Sequence, residues 1–430
     1  MLEGEAAITT EAAHNPMSGR LVLVFAVACG LAVANLYYAQ PILDTMARAF
    51  GVSAATAGLV VTFSQIGYAA GLALLVPLGD LLSRRRLVPV VLAVTACGLV
   101  ASAVAPHIGV VIAVALVVGC GSVVAQVLVP MAASLADDKH RGQVVGTVMS
   151  GLLLGILLAR TVSGVVAGVS SWRVVYWMAA ALTITMAVVL GRVLPPEQPR
   201  PRMGYGPLLR STAQLLVNQP LLRRRALFGG LAFAAFSVFW TTMAFLLSGA
   251  PYHYSDLTIG LFGLVGASGA LCANLAGRWS DRGFTRQTTM AFAACIAASF
   301  LPLWYGRRDL AWLIIGILVL DVGVQGLQVT NQSIIYRLAP DRRSRINSAY
   351  MVCYFAGGAI GSAVASSIYD RHHWAGVCLL GAVIGAAALL GAALDAARRP
   401  PARAVDPGPG QPAGTIRHDS VRAEYGRPGQ

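Results

Sequence analysis

Long apolar runs alternate with short polar breaks along almost the whole chain. A transmembrane helix needs about 20 apolar residues, and twelve runs have roughly that length. They cover residues 21–43, 57–82, 87–106, 108–134, 144–168 and 174–194, then 226–248, 256–277, 288–305, 309–336, 346–368 and 373–396. We number them spans one to twelve. The pattern predicts an all-α membrane protein with twelve transmembrane helices in two groups of six.

The polar segments between these spans divide the chain into five parts. We expect an N-terminal tail over 1–19, a six-helix bundle over 20–194, a linker over 195–225, a second six-helix bundle over 226–396, and a disordered tail over 397–430. Span one is too long for the core of a signal peptide and lacks a convincing cleavage site, so we expect it to stay in place as an anchor.

Composition narrows the possible classes of protein. Apolar residues make up 57% of the chain and charged residues 12%, about half the charged share of a soluble protein. The net charge is +14, and the basic residues are distributed unevenly about the spans: 26 fall on one side of the membrane, five on the other, and Arg160 lies inside span five. This asymmetry predicts cytoplasmic termini and a cytoplasmic linker. No aromatic residues interleave the basic clusters, so we expect no nucleic-acid partner.

Cysteines and histidines give no sign of a metal or cofactor site. The seven cysteines lie in separate apolar runs without a Cys-x-x-Cys pair, and the histidines fall in polar connections or tails. The chain also lacks a G-x-x-x-x-G-K-[ST] phosphate-binding loop. We therefore expect no metal, no cofactor and no direct use of ATP.

Two loop motifs indicate an internal duplication. After span two the motif comprises Asp80, Arg84, Arg85 and Arg86, and after span eight it comprises Gly277, Asp281, Arg282 and Arg286. A second pair, Asp138 to Arg141 and Asp341 to Arg345, recurs at a similar offset. Parallel duplicated halves are typical of one class of secondary transporters, in which substrate binds between the halves near the membrane midplane.

These loops resemble the two copies of the loop motif of the major facilitator superfamily. In span five, the order Gly146, Gly155, Ala159-Arg160, Ser163-Gly164 resembles the glycine-rich motif of its proton-coupled drug antiporters, and Asn35 to Pro41 resembles a bacterial group of that branch. The resemblance covers residues 20–396. It implies a two-bundle fold and transport by alternating access.

The chain departs from that pattern at several positions. Ala159-Arg160 replaces the glycine-proline kink of the antiporter motif, and residues 110–133 lack the arginine usually found in span four. Leu81 and Ser83 replace the customary arginine and glycine of the first loop motif. The superfamily is therefore indicated more strongly than the direction of transport.

The loop motifs have two interpretations. Asp80 and Asp281 lie at expected cytoplasmic helix ends, where each carboxylate could meet a helix N-terminus and an arginine such as Arg141 or Arg345. Such contacts would hold the halves together in one state only and act as a conformational switch. The alternative is that they are ordinary charges of positive-inside loops.

Arg160 and Asp321 are the charged residues that fall well inside spans, away from the span ends. A charge at a helix centre costs about 2.5 to 3.5 kcal/mol on insertion scales, so each should face a partner or a wet cavity. By helical rise they lie roughly 12 Å and 18 Å from the same surface, near enough for a pair, although Asp44 at the outer end of span one competes for Arg160. Asp321 is the predicted proton-coupling residue, with Arg160 tuning its pKa or meeting an anionic substrate. A static buried ion pair explains the same residues.

Polar side chains cluster on five spans and form the candidate substrate cavity. They are Asn35, Tyr38, Gln40, Gln65, Gln126, Trp240, Gln325, Gln328, Asn331 and Gln332. The resemblance implies that spans one, four, seven and ten line the cavity. Asp321, Gln325, Gln328 and Gln332 recur at helical spacing and share one face of span ten. Hydrogen bonding between helices is the alternative role for each of them.

Small residues at helical spacing predict close packing of helices. The candidates are Gly146, Gly151, Gly155 and Gly164 in span five and Gly357 and Gly361 in span eleven. Their contribution to function would be indirect, by allowing helices to slide or rock.

The leading hypothesis is proton-coupled efflux of a small organic compound by a monomeric transporter. Uptake of a sugar or carboxylate by symport uses the same architecture and stays open. A membrane enzyme would need a cluster of catalytic groups at a membrane face, and none is visible. A non-transporting sensor would usually append a signalling domain, for which residues 397–430 are too short and too polar.

Overall fold

The chain folds into long helices in the computed structural model, which describes residues 18–137, 140–195, 204–266, 285–338 and 343–397. In these ranges nine helices are long and apolar enough to cross a membrane, and the last of them, with 54 residues, covers spans eleven and twelve. Gly19–Ala34 and Asp256–Gly266 are shorter apolar helices, in spans one and eight. The predicted all-helical membrane fold is confirmed. The tails predicted over 1–19 and 397–430 lie almost wholly outside the described residues.

Eight helices build the first half of the molecule, the N-half. They are α1 (Gly19–Ala34), α2 (Leu43–Phe50), α3 (Ala54–Leu81), α4 (Arg84–Ala103), α5 (Ile108–Gly121), α6 (Val124–Leu135), α7 (Arg141–Val169) and α8 (Trp172–Val193). The linker contains α9 (Tyr205–Asn218). The second half, the C-half, contains α10 (Pro220–Ser248), α11 (Asp256–Gly266), α12 (Thr285–Tyr305), α13 (Leu310–Ile335) and α14 (Arg343–Ala397).

Two spans predicted as continuous helices are interrupted. Span one leaves the α-helix after Ala34, passes through a 3₁₀ turn over Gln40–Ile42, and resumes as α2. Pro41 lies in that turn and has no N–H to continue an α-helical ladder. Span four breaks between α5 and α6, where the Ser122 hydroxyl donates to the carbonyl of Val118. Such side-chain bonds compete with the regular backbone pattern.

The predicted linker is more ordered than expected. Residues 205–218 form α9, whose Tyr205 hydroxyl donates to the carbonyl of Leu74 in the N-half, while Arg345 of the C-half donates to Ser211. Span seven begins at Pro220 rather than at residue 226, because proline is favoured in the first turn, where its missing N–H costs nothing. The linker thus touches both halves.

Spans eleven and twelve are joined without a separate loop. Helical geometry runs through α14 except at His373, whose φ of 48° lies in the left-handed region. This single residue turns the chain between the two spans. Non-glycine residues adopt that conformation at a steric cost, so the turn is locally strained.

The duplicated architecture is visible in one helix contact that occurs in both halves. A Cβ added at Gly151 or Gly155 of α7 would lie within 2.4 Å of the backbone of Ala26 or Gly30 in α1. In the C-half, Gly357 and Gly361 of α14 approach the backbone of Gly230 and Ala234 in α10 equally closely. Span five therefore packs on span one as span eleven packs on span seven. Only glycine permits this separation of the backbones.

Gly146 differs from the other span-five glycines. A Cβ at this position would meet nothing within 4 Å, although we expected a packing contact there. Gly146 lies on the exposed side of the first turns of α7, as does Gly142, while Val144 and Val148 on the other side are buried. Glycine-to-backbone contacts in α7 begin at Gly151.

The halves contact each other at the membrane face that carries Arg48 and Arg173, which we call the opposite face; the basic face carries Arg84, Arg141 and Arg345. The Thr45 hydroxyl lies 2.7 Å from both carboxylate oxygens of Asp256. The backbone N–H of Ala55, at the start of α3, donates to Asp370 at 3.0 Å. Carboxylates of the C-half thus accept hydrogen bonds from uncharged donors of the N-half.

A loop of the C-half is fixed on the same face. The hydroxyl of Tyr252 donates to the carbonyl of Gly306, which joins the connection after α10 to the one after α12. Burial, with the neighbouring Tyr254 and Asp309, raises the pKa of Tyr252 to about 12. The hydroxyl therefore keeps its proton near neutral pH and remains a donor.

Candidate functional site

Arg160 lies buried in α7 at the boundary between the halves. Its Nε donates to Oε1 of Gln40 at 2.7 Å. The guanidinium carbon lies 4.0 Å from the centre of the Trp240 ring, 4.7 Å from that of Tyr37 and 5.6 Å from that of Phe236. Tyr37 belongs to the N-half and Trp240 to the C-half. Cation–π attraction to these rings replaces part of the hydration that the charge loses in the membrane.

Asp321 is buried in α13 and meets the edge of the same indole. Nε1 of Trp240 donates to Oδ1 of Asp321 at 3.3 Å. Arg160 and Asp321 form no direct ion pair, and Trp240 contacts both of them. The structure therefore replaces the direct pair that the depth estimate favoured with an arrangement of three side chains.

Asp44, the third proton-coupling candidate, is placed elsewhere. It forms an ion pair of 2.6 Å with Arg48, one turn further along α2 on the opposite face. It therefore does not compete for Arg160, whose nearest acceptor is the side chain of Gln40. The difference arises because the chain turns after Ala34, which sequence alone did not predict.

Glycines of α11 cover both buried charges. A Cβ added at Gly263 would lie 2.8 Å from Cβ of Arg160, and one added at Gly266 would lie 2.5 Å from Oδ2 of Asp321. Near the opposite face, Gly164 of α7 lies against Gly260 and the carbonyl of Asp256. One face of α11, without side chains, thus brings the C-half against span five and the site.

Most of the predicted cavity residues form hydrogen bonds with side chains of neighbouring helices. Gln65 donates to Ser237 across the halves, Gln126 to Tyr68, Gln332 to Asn347, Asn331 to Tyr350 and Asn35 to Thr183, while Gln328 accepts from Tyr354. Tyr38 is buried and its carbonyl accepts from Ser163. Gln325 is half-buried on the face of α13 that carries Asp321. Side chains of both halves therefore meet here.

Buried polar atoms without partners mark unused hydrogen-bonding capacity. Among the described residues they are Oδ1 of Asn35, Nη2 of Arg160, Nε of Arg225 and Oδ1 of Asn331. Such groups are rare in folded proteins and call for a ligand, water or functional explanation. Arg225 lies at the basic face, where it shares Asp395 with Arg224. Arg160 belongs to the site between the halves.

Aromatic rings continue from Arg160 along the boundary. Phe236 lies 5.9 Å from Trp240, Phe233 lies 5.4 Å from Phe236, and Tyr354 stacks on Phe233 at 4.2 Å. We call Phe233, Phe236 and Tyr354 the aromatic run. It leads from Trp240 toward the basic face, because Phe233 and Phe236 precede Trp240 in a helix that starts on that face.

Two cavities in the molecule are lined by residues other than Arg160, Trp240 and Asp321. A cavity of about 410 Å³ lies at the basic face, lined by residues of α1, of α7 and of the connection before α7, among them Asp137, His140 and Thr147. A small void of about 20 Å³ adjoins Asn35 and Tyr176. In the described residues no cluster of His, Cys, Asp and Glu could hold a metal ion.

A family model described as Major Facilitator Superfamily matches residues 23–340 and 275–424. The chain belongs to the major facilitator superfamily. As a major facilitator it is a multi-pass membrane transporter and not an enzyme, in agreement with the absence of a catalytic cluster in its sequence.

Individual proteins agree with this assignment. The chain is 49% identical over 377 residues to an Escherichia coli O157:H7 protein described as an uncharacterized transporter, YgaY, covering 88% of this chain and 96% of that protein. It is 33% identical over 392 residues to the Probable transporter SCO4007 of Streptomyces coelicolor, with coverage of 90% and 89%. The solved structure of the nucleoside transporter NupG has a TM-score of 0.71 at 15% identity, covering 88% of this chain and 99% of that chain. This last likeness shows the fold alone.

Only part of the two loop motifs of this major facilitator lies within the described residues. Arg84 is buried and donates to the carbonyl of Gly79, Arg141 donates to the carbonyl of Ala133, and Arg85 and Arg286 are exposed. Arg345 donates to Ser211 of the linker. Gly277, Asp281 and Arg282, and the side chain of Asp80, lie outside the described residues. The proposed pairing of the aspartates with arginines therefore stays a prediction.

Several residues of the site in this major facilitator were not singled out from the sequence. They are Thr45, Asp256 and Asp370 at the opposite face, Gly260, Gly263 and Gly266 of α11, and Phe236. The glycines recur at a spacing of three, which was the available signal, but the sequence holds 46 glycines. Phe236 stands one helical turn before Trp240, so helical spacing from that residue could have found it.

Proposed function

We propose that this protein is a proton-coupled secondary transporter, with Asp321 as the proton-carrying group and a small organic compound as substrate. The proposal rests on the position of Asp321. Its carboxyl group is buried, accepts from an uncharged donor, Trp240, and has no ion-pair partner among the described residues. An ionisable residue inside a membrane span is by default a functional candidate.

The hydrogen bond from Trp240 is compatible with both charge states of Asp321. An indole N–H donates to a carboxylate oxygen and equally to the carbonyl oxygen of a carboxylic acid. Taking up a proton therefore requires no ion pair to break. It changes the net charge of the site, which Trp240 shares with Arg160 across the boundary of the halves.

Alternating access would expose this site to each membrane face in turn. In the conformation described, the halves meet at the opposite face through Thr45, Asp256, Ala55 and Asp370. Opening that face requires these contacts to break while the bundles 20–194 and 226–396 rock about the site. A substrate or proton that binds one of the two conformations more tightly shifts the equilibrium between them by that difference in binding energy.

Efflux by exchange with protons is the first candidate direction. The glycine-rich order in span five, which resembles the motif of proton-coupled drug antiporters, supports it. In an exchanger, substrate and proton occupy the site in turn, so binding of one should weaken binding of the other.

Symport of an organic acid is the second candidate, and a specific observation favours it. Nη2 of Arg160 is buried without an acceptor, which suits a substrate carboxylate. The same span departs from the antiporter motif at this residue, where Arg160 stands in place of proline. In a symporter, proton and substrate occupy the site together.

We further propose that the chain acts as a monomer in the bacterial inner membrane, with both termini in the cytoplasm and no nucleic-acid partner. The distribution of 26 basic residues on one face supports this orientation. A reporter that fluoresces only in the cytoplasm, fused after residue 430, should be active; an active periplasmic reporter at the same site would reverse the orientation.

A growth and accumulation panel followed by vesicle transport tests the function. Cells that overproduce the protein are compared with a deletion strain for resistance to, and uptake of, drugs, sugars and organic acids. Raised resistance with lowered accumulation indicates efflux, and raised uptake indicates symport. The radiolabelled compound so identified is then used in vesicles that contain the purified protein, with an imposed pH gradient.

The decisive comparison is between Asp321→Asn and Asp309→Asn. Each variant removes one carboxylate from the same helix: Asp321 lies inside α13, and Asp309 caps its N-terminus at the membrane surface. Asp309 accepts from the N–H of Ala311, a role that Asn also performs. We expect Asp321→Asn to abolish accumulation driven by the gradient and Asp309→Asn to retain it. Gradient-driven accumulation in Asp321→Asn would refute Asp321 as the proton site.

A further inference from the structure

We propose that Arg160 binds the oxyanion head of an amphipathic organic anion, and that this anion and a proton on Asp321 occupy the site together. The second part rests on the proposed function, because it takes Asp321 as the proton site. The first part depends only on the surroundings of Arg160.

The free donor of Arg160 points to an anion rather than to a neutral group. Nε is used by Gln40, and the rings of Trp240 and Tyr37 lie 4.0 Å and 4.7 Å from the guanidinium carbon. Nη2 is buried without any acceptor. A guanidinium offers its donors in a planar fork that matches a carboxylate or similar oxyanion.

The described surroundings supply no protein acceptor for this donor. The carboxyl group of Asp321 accepts from the N–H of Trp240 and forms no ion pair with Arg160. The helix that covers the site from the C-half presents Gly263 and Gly266, which have no polar side chains. A bound oxyanion would satisfy Nη2, whereas the protein alone leaves a buried charged donor unpaired, which is costly.

The neighbouring side chains indicate the remainder of the ligand. The aromatic run, Phe233, Phe236 and Tyr354, begins beside the guanidinium, with Phe236 at 5.6 Å from its carbon. These rings offer apolar faces and a single hydroxyl, which already donates to Gln328. An apolar or aromatic body attached to the oxyanion fits this lining better than a sugar, whose many hydroxyl groups would find few partners.

The charges of the site link the anion to the proton. With Arg160 and Asp321 both ionised the site is neutral, and a proton on Asp321 leaves one positive charge in a medium of low dielectric constant. That charge attracts an anion and repels a cation. Proton and anion should therefore strengthen each other's binding, as in symport.

The other titratable groups around Asp321 leave this argument unchanged. Tyr354 faces it from α14, Arg160 from α7, and Tyr37, from α1, lies over the guanidinium. The helix α10 contributes Trp240, and the described part of α11 contributes Gly266. Both tyrosines are buried. Among these groups, Arg160 and Asp321 are the two whose charges enter this argument, because a tyrosine is uncharged until it loses its proton.

Thermal unfolding of the purified full-length protein with four probes tests the proposal. The anions are benzoate and benzenesulfonate, and their neutral counterparts are benzamide and benzenesulfonamide. We expect at least one anion to raise the Tm and neither amide to do so, because a ligand that binds the folded state stabilises it. Benzenesulfonate stays ionised at all pH values used, so any loss of its binding on the alkaline side reports a group of the protein.

Variants separate the two parts of the proposal. Arg160→Gln should weaken anion binding at least about tenfold, the equivalent of one good charge-assisted contact. If Arg160→Gln does not fold, Arg160→Lys keeps the charge without the planar fork and should weaken carboxylate binding measurably. Asp321→Asn, which mimics the protonated acid, should bind the anions at every pH and lose the pH dependence.

Each contrary result has a distinct meaning. Equal stabilisation by amides and anions, no stabilisation by any probe, or unchanged anion binding in Arg160→Gln overturns the anion site. Loss of anion binding in Asp321→Asn overturns joint occupancy. Anion binding that keeps its full pH dependence in Asp321→Asn contradicts the proposed proton site, and with it the proposed function, while the anion site stands.

Discussion

Trp240 donates its indole N–H to Asp321 at 3.3 Å, while the face of the same ring lies 4.0 Å from the guanidinium carbon of Arg160. Trp240 belongs to the C-half, as does Asp321, and Arg160 belongs to the N-half. One aromatic side chain thus joins the buried charges of Arg160 and Asp321 across the boundary that alternating access would have to open. Its displacement would separate the charges, so we expect transport to be sensitive to small changes around it.

Gly266→Ala should disturb this arrangement directly. The added Cβ would lie 2.5 Å from Oδ2 of Asp321 and 2.9 Å from Cζ2 of Trp240, so one of these side chains must shift. We expect transport to fall by at least about tenfold, since small misplacements at a functional site have large effects. Gly146→Ala is the control, because its Cβ meets nothing within 4 Å. Equal transport in the two variants would contradict the described position of α11.

The glycine contacts of span five predict a position-dependent effect on stability. Gly155→Ala places a Cβ within 2.4 Å of the backbone of Gly30 and should lower the free energy of unfolding by about 1–3 kcal/mol. Gly146→Ala, on the same helix, should leave stability unchanged or raise it slightly, because alanine favours helix. Thermal unfolding in detergent measures both. A loss of stability in Gly146→Ala as large as in Gly155→Ala would contradict the packing of α7 on α1.

Gln40 supports Arg160 by accepting from Nε at 2.7 Å. Gln40→Met should cost about 1–3 kcal/mol of stability, because it leaves a further buried donor of a charged group without a partner. Gln40→Glu keeps the acceptor and adds a negative charge, so it should restore most of that stability. Thermal unfolding of the three proteins checks the order; equal Tm values for the methionine and glutamate variants would show that this hydrogen bond contributes little.

Thr45→Val should favour opening of the opposite face. It removes the hydroxyl that lies 2.7 Å from both carboxylate oxygens of Asp256, while Thr45→Ser keeps it. A hydrogen bond to a charged group contributes about 1.5–3 kcal/mol, enough to shift a two-state population by roughly tenfold or more. Ser362 of α14 is buried and accepts a hydrogen bond from Thr62 of the N-half, so it reports separation of the halves. In a background without the seven native cysteines, a cysteine at position 362 should react faster with an impermeant maleimide in Thr45→Val. Equal labelling rates in Thr45→Val and Thr45→Ser would show that this hydrogen bond does not help to keep the opposite face closed.

The sequence predicted the helical framework well because hydropathy reports burial in lipid. It could not predict where helices are interrupted, since proline and serine, the residue types at positions 41 and 122, also occur inside uninterrupted helices. It placed residues 205–218 in a linker because their apolar positions are too few for a span, yet they form α9. Short amphipathic helices depend on contacts with other elements, which no local pattern specifies.

The site was predictable only where its chemistry is unusual. Arg160 and Asp321 stood out because charges within spans are rare. Their relation was not predictable, because the intervening Trp240 comes from a different helix and its rotation is set by packing. The role of Gly266 was hidden for the opposite reason: an apolar span contains many glycines, and nothing in the sequence indicates which of them faces a carboxylate.

Transport as proposed requires Asp321 to take up and release a proton. Infrared difference spectroscopy of the purified protein, recorded while pH is raised, measures the carbonyl band of protonated carboxylic acids directly. We expect a band that disappears as pH rises in the wild type and in Asp309→Asn and that is missing in Asp321→Asn. The same pH-dependent band in Asp321→Asn, or its absence from the wild type, would contradict the account.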